Sequence, residues 1–158
     1  MANSITFDSS ILNRDKVYQR AYKESLAIYA KESTRKGRTL EQILLESMRG
    51  HRAEVWLMEN GYMDDDRPYK DLFEPDGTPI EIKVTKCTSY VKYVLERCKD
   101  KFKMGIDIAP KIYIFLNEPE STLYEFHGIF YWNGMEFIGS RPFLQPAISN
   151  LQSTITSI

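Results

Sequence analysis

Residues 78–85 have the sequence TPIEIKVT, in which apolar and polar side chains alternate. Successive side chains of a β-strand point to opposite faces, so the three apolar side chains are predicted to share one face. Glu81 and Lys83 then lie together on the other face. No other acidic residue in the chain stands two positions before a lysine. A carboxylate and an ammonium group are therefore expected on one strand face, for which a solvated sheet surface is the alternative interpretation.

A second extended segment, residues 69–74, precedes this strand and contains Asp71. Residues 75–77, Pro-Asp-Gly, separate the two segments and are typical of a tight turn. An antiparallel hairpin is therefore predicted, in which the Asp71 carboxylate can approach that of Glu81. Two neighbouring carboxylates repel each other and lose hydration on burial, so a divalent cation between them stabilises the pair.

Mg²⁺ suits this set of side chains, because it prefers hard oxygen ligands and retains several water molecules. A bound Mg²⁺ can hold a phosphate oxygen and activate water for attack on phosphorus. Lys83 would stabilise the negative charge that develops on the phosphate, or position the attacking water. We therefore expect a Mg²⁺ cofactor, for which Mn²⁺ can substitute.

Two helices are predicted before the hairpin. Thr39 and Gln42 form a capping box at the start of the second, which should end at Asn60-Gly61. On this helix Glu54 follows His51 by three residues, which places it in the inward-facing register. The first helix, over residues 14–33, carries apolar side chains at helical spacing at Val17, Ala21, Tyr22, Leu26 and Tyr29.

Further elements are predicted after the hairpin. Residues 89–103 have the pattern of an amphipathic basic helix, with Tyr90 at the start of its apolar stripe. Residues 111–116 are rich in β-branched and aromatic side chains and predict a strand. Residues 123–132 and 135–138 flank Asn-Gly, a strong signal for a hairpin.

The order Glu54, Asp71, Glu81-Ile82-Lys83 resembles that of the PD-(D/E)XK nucleases over about residues 40–116. The resemblance implies an α/β fold with a restriction-endonuclease-like core, in which helices flank a mixed central sheet. It also implies Mg²⁺-dependent phosphodiester hydrolysis. Asp71 and Glu81 would be metal ligands, Lys83 the catalytic lysine, and Glu54 a further catalytic residue and metal ligand.

Two positions depart from patterns of that family. Lys70 stands where the first motif has a proline before its aspartate. A subgroup of exonucleases has glutamine four residues before a tyrosine just after the lysine, whereas here Lys86 precedes Tyr90 at that spacing. The second difference favours an endonuclease over an end-processing enzyme.

The distribution of charge is uneven, although the net charge of the 158 residues is only −1. Residues 14–52 hold ten basic and five acidic side chains, residues 82–105 hold seven and two, and residues 53–81 hold two and nine. This pattern suits a metal site between surfaces that bind phosphates, and ordinary solvated helices would also produce it. Lys86, Lys92 and Lys99 are the candidate nucleic-acid contacts, with plain surface lysines as the alternative.

Length and composition predict one domain over residues 1–158, with a helical N-terminal segment at 14–38 and a tail at 149–158 that is a short helix or disordered. Two cysteines, Cys87 and Cys98, form neither a disulfide framework nor a zinc motif. No membrane segment or secretion signal is evident. We therefore expect a protein of the cytoplasm, in a bacterial or phage-infected cell, with no membrane partner.

These expectations describe a compact phage-type or mobile-element endonuclease that cuts duplex or branched DNA. One site of this kind cuts one strand, so a homodimer or higher homo-oligomer is expected. A Holliday-junction resolvase and an RNA endonuclease of the same fold are alternatives with the same chemistry. A non-catalytic nucleic-acid-binding or assembly module is an alternative of another class, against which the intact Asp71, Glu81 and Lys83 argue. His51 is expected to be a satisfied interface residue, and Asp64 to Asp66 a solvated turn.

Overall fold

A mixed β-sheet forms the centre of the structure, a computed structural model that describes residues 5–64, 71–105 and 109–139. The strand order is β1-β5-β4-β3-β2, and β6 pairs with β5 beside this path. β3 and β4 run parallel, whereas the other paired strands are antiparallel. The strands are β1 (Ile5–Asp8), β2 (Leu72–Phe73), β3 (Pro79–Thr85), β4 (Lys111–Leu116), β5 (Leu123–Trp132) and β6 (Phe137–Gly139).

The two longest helices of the described residues begin where polar side chains cap the free backbone N–H groups of their first turn. Asn13 accepts a hydrogen bond from the N–H of Lys16 at 3.1 Å. Thr39 and Gln42 form the predicted capping box, and the helix that they start ends at Glu59. The helices are α1 (Arg14–Ala30), α2 (Glu32–Arg35), α3 (Leu40–Glu59) and α4 (Val91–Lys103).

Helices cover the two faces of the sheet, which confirms the predicted α/β class. α3 packs against α1 and buries Trp56 on one face, where its ring stacks on Phe7 with centroids 4.4 Å apart. On the other face α4 packs its buried side chains against Ile112 and Ile114 of β4. None of the helices in the described ranges is both long and apolar enough to cross a membrane.

The predicted hairpin is present, with a shorter first strand than expected. β2 pairs with β3 through Leu72 opposite Ile80 and Phe73 opposite Pro79. The Pro-Asp-Gly turn closes with the N–H of Gly77 donating to the carbonyl of Glu74 at 2.8 Å. Gly77 has φ of +91°, a conformation that glycine adopts without strain.

The polar face of β3 is covered, so it is not the solvated sheet surface of the alternative interpretation. The parallel register places Glu81 beside Ile112 and Lys83 beside Ile114, on the face that α4 covers. Glu81 is only 7% exposed. Its charge is therefore held in a poorly hydrated place, which requires a compensating partner.

The predicted apolar stripe of α1 is wrong in part. The helix buries Val17, Ala21 and Ser25, whereas Tyr22, Leu26 and Tyr29 are exposed. α1 lies on α3 through one narrow row of small residues, so a second apolar row faces solvent. Tyr90 is also exposed, since it ends a 3₁₀ turn, Thr88–Tyr90, before α4 begins.

Other differences involve segments with weak local signals. β1 was not predicted, because its four residues acquire their structure by pairing with β5, more than a hundred positions away in the chain. The tail at 149–158 and the acidic residues Asp65 and Asp66 lie outside the described residues. The first part of the predicted segment 69–74 lies outside them as well.

We predict that Leu72→Ala destabilises the protein by about 2–5 kcal/mol, because it leaves a cavity beneath the hairpin. Leu72 is 0% exposed, whereas Leu123, the matched control, is 59% exposed. Leu123→Ala should change stability by about 0.5 kcal/mol or less. Urea unfolding of both variants measures the difference, and equal effects would contradict the packing of β2.

Candidate active site

The structure brings Asp71 and Glu81 together at the edge of the sheet. Asp71 precedes β2 by one residue and lies opposite Glu81 if the register of the hairpin is continued. Its Oδ2 atom accepts a hydrogen bond from the N–H of Ile82 at 2.7 Å, which fixes the carboxyl group against β3. The Asp71 side chain is also close enough to Glu81 for hydrogen bonding, which lowers the pKa of Glu81 in part.

Burial dominates the electrostatics of these two carboxyl groups. Burial and then the charge of Glu81 raise the pKa of Asp71 well above its usual range, against the lowering effect of the Ile82 N–H. Burial also raises the pKa of Glu81, although Lys83 counteracts it. Glu81 Oε2 is buried and has no hydrogen-bond partner among the described residues. Both groups therefore favour the bound proton unless a cation replaces it.

Lys83 lies beside this pair on the same strand face. Its Nζ atom is 3.5 Å from Glu81 Oε1, and 31% of its side chain remains exposed. Burial lowers the pKa of Lys83, but the charges of Glu81 and Asp71 outweigh burial and raise it overall. Lys83 thus carries a positive charge that points into the site.

Glu54 reaches the site from α3 and is 6% exposed. Its Oε1 atom accepts a hydrogen bond from Arg20 Nη2 at 2.6 Å, and its Oε2 atom lies 3.1 Å from His51 Nδ1. The charge of Glu54 nevertheless acts on Asp71 and helps to raise its pKa. Glu54 therefore contributes negative potential while cationic groups engage both of its oxygens.

Two residues of α1, Arg20 and Glu24, complete a chain of ion pairs that sequence reasoning missed. Arg20 also pairs with Asp64, which is therefore not the purely solvated turn residue expected. Glu24 pairs with His51 Nε2 at 2.7 Å, so this ring nitrogen is satisfied as expected, whereas the buried Nδ1 atom has only the ion-pair contact with Glu54 and no hydrogen bond. Arg20 and Glu24 are four residues apart and so share one face of α1. His51 and Glu54 are three residues apart and share one face of α3 in the same way. These two spacings are the sequence signal that could have predicted the ion pairs.

The donor groups fit a hard divalent cation. In the ranges 5–64, 71–105 and 109–139, no group of three or more His, Cys, Asp or Glu is arranged to hold a metal ion. Asp71 and Glu81 supply two carboxylates, and Mg²⁺ is usually held by one or two carboxylates together with water and substrate phosphate. The unpartnered buried oxygen of Glu81 is the atom that such a cation would satisfy.

The predicted nucleic-acid contacts lie around α4. Lys86 is exposed just after β3, and Lys92 is exposed with its Nζ 5.1 Å from the centroid of Tyr93. Lys99 is half-buried. These placements leave the ammonium groups of Lys86 and Lys92 accessible to a phosphate, without identifying one.

Arg97 and Lys101, one turn apart on α4, are basic residues near the site that sequence reasoning did not single out. The charge of Lys101 lowers the pKa of Glu81, and both charges act on the thiol of Cys98. Burial raises the pKa of Cys98, so it remains a thiol beneath Lys83. The amphipathic pattern of α4 predicted a basic surface but not which of its charges face β3.

Comparison of the chain with protein-family models, with curated proteins and with solved structures found no match. The site must therefore be interpreted from its own geometry.

We predict that stability depends on the protonation of His51. Burial lowers its pKa, but the contacts with the carboxylates of Glu24 and Glu54 raise it overall from 6.5 to about 9. A group whose pKa is raised by folding stabilises the folded protein fully when the pH is below the pKa of the unfolded state. This stabilisation is lost as the pH rises through the pKa of the folded state. In EDTA, the free energy of unfolding of the parent should fall by about 1–3 kcal/mol between about pH 6.5 and pH 9, relative to that of His51→Gln.

Urea unfolding of the parent and of His51→Gln, repeated across that pH range, measures this loss. Parallel pH profiles for the two proteins would show that His51 is not a charged partner of Glu24 and Glu54.

We also predict that Mg²⁺ stabilises the folded protein through Asp71. A ligand present at about a hundred times its Kd stabilises a protein by about 2.7 kcal/mol, which thermal unfolding detects. Asp71→Asn should lose most of this stabilisation. Asp76→Asn is the matched control, since Asp76 lies in the exposed turn of the same hairpin. If both variants respond to Mg²⁺ as the parent does, the cation does not bind at Asp71.

Proposed function

We propose that this chain is a metal-dependent endonuclease that hydrolyses phosphodiester bonds of DNA. One observation carries the proposal: the buried carboxyl group of Glu81, the half-buried carboxyl group of Asp71 and the ammonium group of Lys83 converge at one edge of the hairpin. Asp71 and Glu81 have raised pKa values because burial opposes their charges, and Glu81 Oε2 lacks a partner. Two neighbouring carboxyl groups that resist ionisation are typical of functional sites, and a divalent cation would stabilise both.

The order of elements supports a restriction-endonuclease-like core. α3 carries Glu54 and precedes the hairpin of β2 and β3, which carries Asp71, Glu81 and Lys83. α4 then connects β3 to β4, which runs parallel to β3. This succession agrees with the resemblance to the PD-(D/E)XK nucleases over the same part of the chain.

Asp71 and Glu81 would hold Mg²⁺, or Mn²⁺ in its place. The resemblance to the nuclease family would add Glu54 to these metal ligands. When bound, the cation supplies Lewis-acid polarisation of the phosphate and a more acidic water molecule. The N–H of Ile82 orients Asp71, and Lys83 stabilises the negative charge on the phosphate as the bond to its oxygen breaks. Because both oxygens of Glu54 are engaged, we assign Glu54 to holding Arg20 and His51 against the site.

Basic side chains near the site support a polyanionic substrate. The positive charges near the site act on Glu81 and Cys98 and belong to Lys83, Arg97 and Lys101. They offset the repulsion between the carboxylates and an approaching phosphate backbone. Lys86, Lys92 and Lys99 would extend these contacts along the backbone. These contacts favour a nucleic-acid backbone bound mainly through its phosphates, and we take DNA, duplex or branched, as the proposed substrate.

The function is tested by incubating the protein with supercoiled plasmid, a four-way DNA junction and single-stranded RNA, each with Mg²⁺ and with EDTA. We expect cleavage of plasmid DNA with Mg²⁺ and none with EDTA. Cleavage confined to the junction would indicate a resolvase, and cleavage confined to RNA an RNA endonuclease. No cleavage of any substrate would favour a non-catalytic module, and cleavage in EDTA would exclude the cation mechanism.

We predict that Lys83→Ala lowers the rate of cleavage by about a hundredfold or more, because one preorganised charge is lost from the transition state. DNA affinity should change little, since Lys83 acts on the transition state more than on bound substrate. Lys31→Ala, which removes an exposed lysine at the end of α1, is the control and should retain full activity. Unchanged turnover in folded Lys83→Ala would exclude the role assigned to Lys83.

A further inference from the structure

Large apolar side chains are exposed along one side of α1 and on α3. Tyr18, Tyr22, Leu26 and Tyr29 are 38–47% exposed and recur about once per turn of α1. The rings of Tyr18 and Tyr22 stack with centroids 5.8 Å apart. Leu45 on α3 is 62% exposed. We call these five residues the tyrosine face.

A cavity of about 810 Å³ continues this face between the start of α1, α3 and the turn at residues 117–122. Tyr18 and Leu45 belong to the tyrosine face and also line the cavity, together with Met48. A protruding row of rings thus borders a recess lined by apolar groups. Central contacts in protein interfaces are commonly aromatic side chains that fill such recesses.

The charges around the cavity are balanced in sign. A nucleic acid requires an excess of basic side chains, which this rim does not have. In a two-fold symmetric dimer the same surface meets itself, so a surface with both signs can pair each charge with its opposite. The rim carries three arginines and three carboxylates: Arg14, Arg49, Arg52, Asp15, Glu46 and Glu120.

The exposed area is sufficient for a dimer. A large side chain presents about 150–250 Å² when fully exposed, so the five residues present about 450 Å² together. A standard interface covers about 800 Å² of each partner, of which a little over half, or about 450 Å², is apolar. The tyrosine face alone meets that apolar requirement.

We propose that a second copy of this chain binds at the tyrosine face and forms a symmetric homodimer. This assignment rests on the surface and does not depend on the proposed nuclease activity. Arg20 and Glu24 extend from a different side of α1, towards Glu54 and His51. The dimer therefore leaves both candidate active sites open to substrate.

The test is sedimentation or light scattering of the full chain from about 1 µM to about 100 µM, where a Kd in the micromolar range is measurable. We expect the parent to dimerise. Tyr22→Asp and Leu45→Asp should each raise the Kd by about tenfold or more, since each places a charge in the interface. Tyr93→Asp is the matched control, because Tyr93 is 56% exposed on α4, away from the tyrosine face.

A parent protein that remains monomeric at about 100 µM would overturn the proposal, as would unchanged dimerisation in folded Tyr22→Asp and Leu45→Asp. A monomeric parent whose affinity for a single-stranded oligonucleotide falls in Tyr22→Asp would show that the face binds nucleic acid instead. Lys83→Ala separates the two proposals, because it should dimerise as the parent does whether or not the parent cleaves DNA.

Discussion

The burial of Asp71 against Glu81 is the constraint on which the site depends. Each carboxyl group loses hydration, and each opposes the charge of the other. The fold offsets this only in part, through the N–H of Ile82 and the ammonium group of Lys83. Because the backbone and the side chain of Asp71 are both hydrogen-bonded to β3, Asp71 and Glu81 cannot easily move apart to relieve their repulsion. A bound proton, or a cation between the two carboxyl groups, would relieve this repulsion.

A second set of charges keeps this arrangement compatible with a stable fold. An unpaired Glu54 would be a third buried negative charge near Asp71, and burial of an unpaired charge costs several kcal/mol, of the order of the whole stability of a domain. Arg20 and His51 neutralise Glu54, and Asp64 and Glu24 lie at the two ends of the chain of ion pairs. The same contacts join α1 to α3. Packing of the helices and electrostatics of the site are thus maintained by the same side chains.

The sequence predicted those features that arise from neighbouring residues. The alternation in residues 78–85, the Pro-Asp-Gly turn and the capping box at Thr39 each act within a few positions, and each predicted element is present. The hairpin alone brings Asp71 to Glu81, so this part of the site could be predicted as well. The pair of Arg20 with Glu54 joins residues 34 positions apart, and its formation depends on how α1 lies on α3. The apolar pattern of α1 fits two different faces, so local sequence could not determine which face the core would bury.

That ambiguity has a physical consequence for α1. A helix that buries only Val17, Ala21 and Ser25 gains modest hydrophobic stabilisation from its own core contacts, while the apolar surface of its exposed tyrosines remains in water. Its position then depends strongly on the ion pairs of Arg20 and Glu24. A second copy packed on the tyrosine face would cover the other side of α1 and restrict its motion. Assembly would thereby hold Arg20 against Glu54 and keep the charge of Glu54 compensated near Asp71, although no residue of the tyrosine face contacts the carboxylates in the part of the chain that the structure describes.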